Sequence, residues 1–284
     1  MGTAKRERQK ANRQARLEQL QKQEKQAKTK KRVIQIAVLV GVFVLAAWLL
    51  SRLVSGGGDD EQADTSTTVA TTTPTTVTPA TTAALPTTVP GKTITGETPC
   101  PSPEGASERA TQFEQEPPMC IDTAKTYTAT MVTNKGELTA TLDATKAPKT
   151  VNNFVVLARY HYFDNTVCHR IIPSFVVQCG DPTATGSGGP GYEFADELPA
   201  TGEYQIGSLA MANSGPNTNG SQFFMITGDQ GTSLPPNYSL FGQITEGLDT
   251  TLPALDAAGN PDQAANGVPP LEQVVIESVT ITES

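Results

Sequence analysis

Met211-Ala212-Asn213-Ser214-Gly215-Pro216-Asn217-Thr218-Asn219-Gly220-Ser221-Gln222-Phe223-Phe224 decides the fold. The stretch is polar and small, yet apolar runs flank it: Ile206 to Leu209 before, Met225 and Ile226 after. A polar surface loop usually continues into more polar sequence. This one ends in Gln222-Phe223-Phe224, a strand-like step that returns two aromatics toward a core. Asn219-Gly220 supplies a tight turn in this reading, because both residues tolerate positive φ.

Outward from that stretch, the 284 residues divide sharply by charge. Residues 1–32 carry twelve Lys/Arg against three Asp/Glu, and the remainder carries nine against twenty-six. Residues 33–50 hold one strongly polar side chain, Gln35. As a helix they extend about 27 Å, close to the hydrocarbon thickness of a bilayer. A cleaved signal peptide is the rival, but its basic region is too long and no Ala-x-Ala site follows. The expectation is a transmembrane signal anchor over 33–54 after a basic cytoplasmic tail (1–32), with everything beyond it extracytoplasmic in a single-pass membrane protein. Sixteen of residues 65–98 are Thr, so 55–98 reads as a disordered Thr/Pro-rich linker. A Cys-containing arm (99–124) and a folded domain (125–284) complete the division.

In that domain the period is that of strands. Residues 126–132 and 137–142 alternate around Asn134-Lys135-Gly136, and 148–159 reads as a helix with Val151, Phe154, Val155 and Ala158 on one face. Short strands follow at 167–172, 176–179, 222–226, 240–244 and 274–281, with a weak helix near 248–255. One early helix and many short strands suit an antiparallel barrel closed by helices. Residues 257–270 look like an extra loop, to which the sequence assigns no role. The four cysteines allow three connectivities. Cys100 and Cys120 bracket a segment with little apolar content, which a disulfide would order. If Pro173-Ser174 is a hairpin tip, positions summing to 347 face each other. Cys168 and Cys179 are then cross-strand neighbours within disulfide range; two buried free thiols are the competing reading.

The 211–224 stretch resembles the signature of the cyclophilin family of peptidyl-prolyl isomerases. Cys168-His169-Arg170-Ile171-Ile172-Pro173-Ser174-Phe175 with Gln178 resembles the family's other signature. Between them Gly180-Asp181-Pro182 and the run Gly186–Tyr192 match its glycine-rich loop. The resemblance covers roughly residues 125–282. It implies a mainly β fold, a closed eight-stranded antiparallel cyclophilin-like barrel capped by two helices, here preceded by the transmembrane helix and disordered linker. It also implies rotation about X–Pro amides, whose barrier is roughly 18–20 kcal/mol. Reaching the millisecond range from ~10–100 s takes roughly 6–7 kcal/mol off that barrier.

By the same resemblance Arg170 is the cation that hydrogen-bonds the prolyl nitrogen. Phe175, Val176, Phe224 and Leu234 form the proline pocket, Gln178 and Gln222 hold Arg170 and the substrate carbonyl, and Ala212-Asn213 dock the peptide backbone. Tyr238 stands where many relatives have His, and Ser233 where they have the Trp used by cyclosporin, so weak cyclosporin binding is expected. Cys168 departs from the family's Phe. The expected partners are proline-containing peptides and unfolded exported proteins, with the lipid bilayer at 33–54. No nucleic acid, cofactor or metal is expected, since two histidines and paired cysteines leave no ligand cluster. The alternative function is a proline-motif binding or adhesion module, or a holdase chaperone, without essential turnover.

Overall fold

The computed structural model describes residues 90–284, so the basic tail, the predicted span and residues 55–89 of the linker lie outside the described residues. The end of the expected disordered linker is ordered, with 92–94 in a strand and Thr98 buried. Among the described residues no helix is long and apolar enough to cross a membrane. A two-stranded parallel ribbon, β1 (Lys92–Ile94) and β2 (Ala110–Phe113), comes first. Then follow β3 (Tyr127–Thr133), β4 (Gly136–Leu142), α1 (Pro148–Arg159), β5 (Thr166–Val167), β6 (Arg170–Ile172), β7 (Val176–Cys179) and β8 (Ser208–Met211). The chain ends with β9 (Phe223–Ile226), the single turn α2 (Asp229–Thr232), β10 (Leu240–Glu246), α3 (Thr251–Ala257) and β11 (Val275–Glu283).

The main sheet has nine strands in the order β5-β11-β3-β4-β10-β8-β9-β7-β6, each neighbouring pair antiparallel. The strands form a hydrogen-bonded ladder of nine rather than the expected eight, because the predicted strand 167–172 is split. Its first part pairs with β11 and its second with β7, while Cys168 and His169 belong to neither strand. Both edges of the curled sheet therefore come from one segment of chain. Among the described residues three helices accompany it, where two were expected, and one of them is the single turn α2.

β3 shows a strict buried–intermediate alternation, as period-2 packing of one face requires. β8 was missed in the sequence because all four of its residues are buried. A strand covered on both faces has no polar alternation to read. The concave core centres on Phe154 of α1, whose ring lies 5.0 Å from Phe163, 5.4 Å from Phe223 and 5.2 Å from Phe241. Pro148 opens α1, where its missing N–H costs nothing.

More of α1 is buried than one amphipathic face. From Thr150 to Arg159 every residue is buried. The 99–124 arm provides the second cover. Asn152 accepts from Cys120 N (2.7 Å) and donates to Pro118 O (2.9 Å), and Tyr160 Oη donates to Pro99 O (2.8 Å). Phe113, 2 % exposed, packs edge-on against Tyr160 (5.5 Å) and Tyr192 (6.2 Å). Disulfides join Cys100 to Cys120 and Cys168 to Cys179, with Cα separations of 5.4 and 4.0 Å. Both bridges are pairings the sequence allowed, and for the second the hairpin register is one residue off the expectation: Arg170 faces Gln178, Ile171 faces Val177 and Ile172 faces Val176.

Candidate functional site

Strand pleating splits the two aromatics of the deciding stretch. Phe223 enters the main core, whereas Phe224 turns to the opposite face and joins a second, smaller cluster. The turn before them also differs from expectation. Positive φ falls at Asn217 (61°) and Gly215 (138°), not at Asn219-Gly220. Asn219 is instead fully buried and bridges Phe194, with its side-chain amide donating to Asp196 Oδ1 at 2.8 Å.

The second cluster is built by register. Arg170 pairs with Gln178, Gln178 with Phe224, Phe224 with Ala210 and Ala210 with Leu240, so one row crosses five strands. Directly paired residues share a face, which places a guanidinium, an amide and an aromatic ring side by side outside the core. Val176 and Ile226 form the next row on that face, and Phe175, Ala212, Leu234 and Tyr238 pack around it. The Tyr238 ring stands perpendicular to Phe224 at 5.3 Å. Phe175, Val176, Phe224, Leu234, Ala212 and Tyr238 thus meet in one patch.

The sequence reading missed Tyr204, which fastens this wall. Its hydroxyl donates to Tyr238 O (2.7 Å) and accepts from Tyr238 N (3.1 Å). Burial pushes that hydroxyl up to about 12, so it stays a neutral donor. Nothing local in the sequence marks it, since it lies 34 residues from Tyr238.

Arg170 lies over the patch, its guanidinium carbon 6.0 Å from the Phe175 ring centroid. Half-burial lowers its pKa, yet an arginine remains charged at physiological pH. Nη1 donates to Gln178 Oε1 (3.3 Å), Nε to Asn266 O (3.2 Å) and Nη2 to Asn266 Oδ1 (3.1 Å). Gln178 Nε2 donates in turn to Gln222 Oε1 (2.9 Å). Gln222 Nε2 donates to Gly188 O (2.9 Å) and Gly186 O (3.1 Å) in the glycine-rich loop. Asp181, wholly buried, braces that loop by accepting from Thr183 N, Gly186 N and Gly188 N. Burial opposes its charge, but these hydrogen bonds outweigh it and hold the carboxyl below its ordinary range.

Ala212 N already donates to Gln222 O (2.9 Å). Asn213 turns its amide to Asn237 O (2.9 Å) and accepts from Gly215 N. A cleft of about 710 Å³ adjoins the row, bounded by Gln178, Ala212, Asn213, Gln222 and Gly188, and by Gln112 from the arm.

His169 lies beside this network, 8 % exposed, with no partner for Nδ1. Desolvation holds its pKa below the ordinary value of about 6.5. The unfolded chain therefore binds a proton that the folded chain refuses. Stability is full above about pH 6.5 and falls as pH drops from there toward His169's lower folded value. Urea midpoints between pH 7.5 and 5 are expected to decline, and to decline less in His169→Gln.

Fold and site together define a curled β sheet that carries, outside its core, an apolar pocket beneath a fixed guanidinium. The family model described as cyclophilin type peptidyl-prolyl cis-trans isomerase/CLD matches residues 128–281. The chain belongs to that family. It is 42 % identical over 171 residues to "Probable peptidyl-prolyl cis-trans isomerase B" of Mycobacterium leprae, covering 55 % of this chain and 57 % of that protein. It is 44 % identical over 167 residues to the protein of the same name in Mycobacterium tuberculosis, covering 53 % of each. "Peptidyl-prolyl cis-trans isomerase-like 1" of Gibberella zeae is 44 % identical over 156 residues, 53 % of this chain and 92 % of that one. The chain spans little more than half the length of the mycobacterial relatives.

Proposed function

We propose that this protein is a peptidyl-prolyl cis–trans isomerase acting on X–Pro bonds of exported proteins, held at the cell membrane through residues 33–54. One observation carries the chemistry: the Arg170 guanidinium is bonded through all three nitrogens above the apolar patch of Phe175, Val176, Phe224, Leu234 and Tyr238. Three of its five N–H donors are engaged, which leaves one on each terminal nitrogen. In the planar amide the prolyl nitrogen lone pair is delocalised and accepts poorly. As the bond twists, the nitrogen becomes amine-like and accepts a hydrogen bond from Arg170. The interaction is made only in the twisted state, which is the condition for lowering the barrier. The patch grips the ring meanwhile, and Gln178, Gln222, Ala212 and Asn213 border the path of the flanking backbone.

Family membership and the isomerase names of the relatives support the same reading. Eight-stranded closure belongs to it as well, because β5 and β6, the two sheet edges, are parts of one segment. The domain division at 32, 54 and 124 and the extracytoplasmic placement of the domain are part of the proposal too. Two disulfides agree with an oxidising compartment. Ser233 ends α2 with its hydroxyl donating to Asp229 O (3.1 Å) and offers no indole. Cyclosporin is accordingly expected to bind weakly, with micromolar or poorer affinity in a fluorescence titration.

The direct test is cis–trans exchange of an Ala-Pro peptide measured by NMR with the full chain in detergent. Acceleration by decades over the buffer rate is the expected result. A peptide that binds without faster exchange makes the protein a proline-recognition or holdase module.

A further inference from the structure

We propose that Asn266, in the loop between α3 and β11, is a positioning residue that presets the Arg170 guanidinium for isomerisation; this rests on the isomerase reading above. One residue accepts from one whole edge of the fork: its backbone oxygen takes Nε at 3.2 Å and its side-chain Oδ1 takes Nη2 at 3.1 Å. Gln178 holds the remaining nitrogen from the other side. Bonds on two sides fix both the plane of the guanidinium and its position over Phe175, which neither could do alone.

The loop is built to deliver Asn266 there. It docks on the free edge of β6, with Ile171 N donating to Gly267 O (3.0 Å) and Asn260 N donating to Ile171 O (3.1 Å). Internal bonds from Ala265 N to Asp262 O and from Val268 N to Ala265 O brace it. Asn266 has a φ of 51°, a left-handed conformation that Asn, Asp and Gly adopt more readily than other residues. Gly267 follows at φ 77°, and a Cβ there would meet Ile171 O at 2.7 Å. The edge strand and the loop are therefore in direct backbone contact, and Asn266 reaches Arg170 across 96 residues of sequence.

The acceptor type matters as much as its place. Among the described residues Arg170 makes no ion pair. Amide oxygens orient the cation without cancelling its charge, which stays available to the prolyl nitrogen. A carboxylate in the same place would orient it equally well and neutralise it.

Two variants that keep the backbone conformation separate these roles. Asn266→Gly retains the backbone acceptor and loses Oδ1. Asn266→Asp retains both acceptors and adds a charge. Catalysed exchange is expected to fall about three- to tenfold in the first and tenfold or more in the second, in kcat with KM within about twofold. Rotation about the Arg170 Nε–Cζ bond, read by NMR, is expected to quicken in Asn266→Gly and to stay slow in Asn266→Asp. Both variants should keep the wild-type amide spectrum outside the loop, and if one loses it the other alone decides. Wild-type kcat in both variants, or unchanged Arg170 rotation in Asn266→Gly, overturns the assignment. If the wild type itself fails to catalyse exchange, the isomerase reading falls separately. The rotation rate alone then decides whether Asn266 holds Arg170.

Discussion

Arg170→Ala is expected to lower catalysed exchange of an Ala-Pro peptide by about 10²–10³-fold, the usual loss for one preorganised transition-state donor. Peptide affinity should change far less, because the ring-binding patch of Phe175, Val176 and Phe224 is apolar and independent of the charge. The loss therefore belongs in kcat, with KM nearly constant. Arg170→Lys should recover only a small part. An ammonium restores the charge but cannot donate to Gln178 and to both oxygens of Asn266 as a planar fork does. NMR line-shape analysis gives the rate, and a titration of the same samples gives the affinity. An alanine variant with wild-type turnover would remove the guanidinium from the mechanism and leave the pocket as a binding site.

Phe113→Ala is expected to cost about 3–5 kcal/mol of folding stability, the range for deleting a fully buried aromatic. Its ring contacts Tyr160, Tyr162 and Tyr192, so the cavity opens among large rigid rings that cannot easily collapse into it. The effect should reach the site as well. Phe113 N donates to Pro190 O (2.7 Å), and Gln112 Nε2 donates to Gly189 O (3.1 Å). These bonds tie the arm to the loop whose Gly186 and Gly188 carbonyls hold Gln222. A lowered urea midpoint with an unchanged slope, together with a several-fold fall in turnover, is the expected pair of results. A variant as stable as wild type would mean that the arm rests on the domain without supporting it.

The residues of the site were legible through the motifs they sit in, but not their cross-strand arrangement, because the hairpin register differs by one residue and β8 was not recognised. Arg170 and Gln178 lie in one hairpin, and Phe224 follows a stretch whose polar-to-aromatic step marks a strand start. The residues missed share one property: their role is defined by a distant partner. Tyr204 supports Tyr238, Gln112 supports Gly189, and Asn266 holds Arg170. Each is an ordinary polar residue in an irregular segment, where neither period nor motif distinguishes it from a solvated side chain.

By itself the sequence determined the strand-rich class, the helix at 148–159, the pairing of Cys168 with Cys179 as an available bridge, and the set of groups that can act on a proline. The first three are local properties, set by side-chain period, turn chemistry and spacing within a hairpin, whereas the last is what the resemblance of the motifs implies. Only the tertiary structure decided that the ladder has nine strands with both ends in residues 166–172, and that the arm buries a second face of α1. It also decided that the 257–270 loop meets the guanidinium. Those outcomes depend on contacts between segments tens of residues apart, which the folded chain makes to satisfy buried polar groups and cover apolar faces, and no local pattern encodes them.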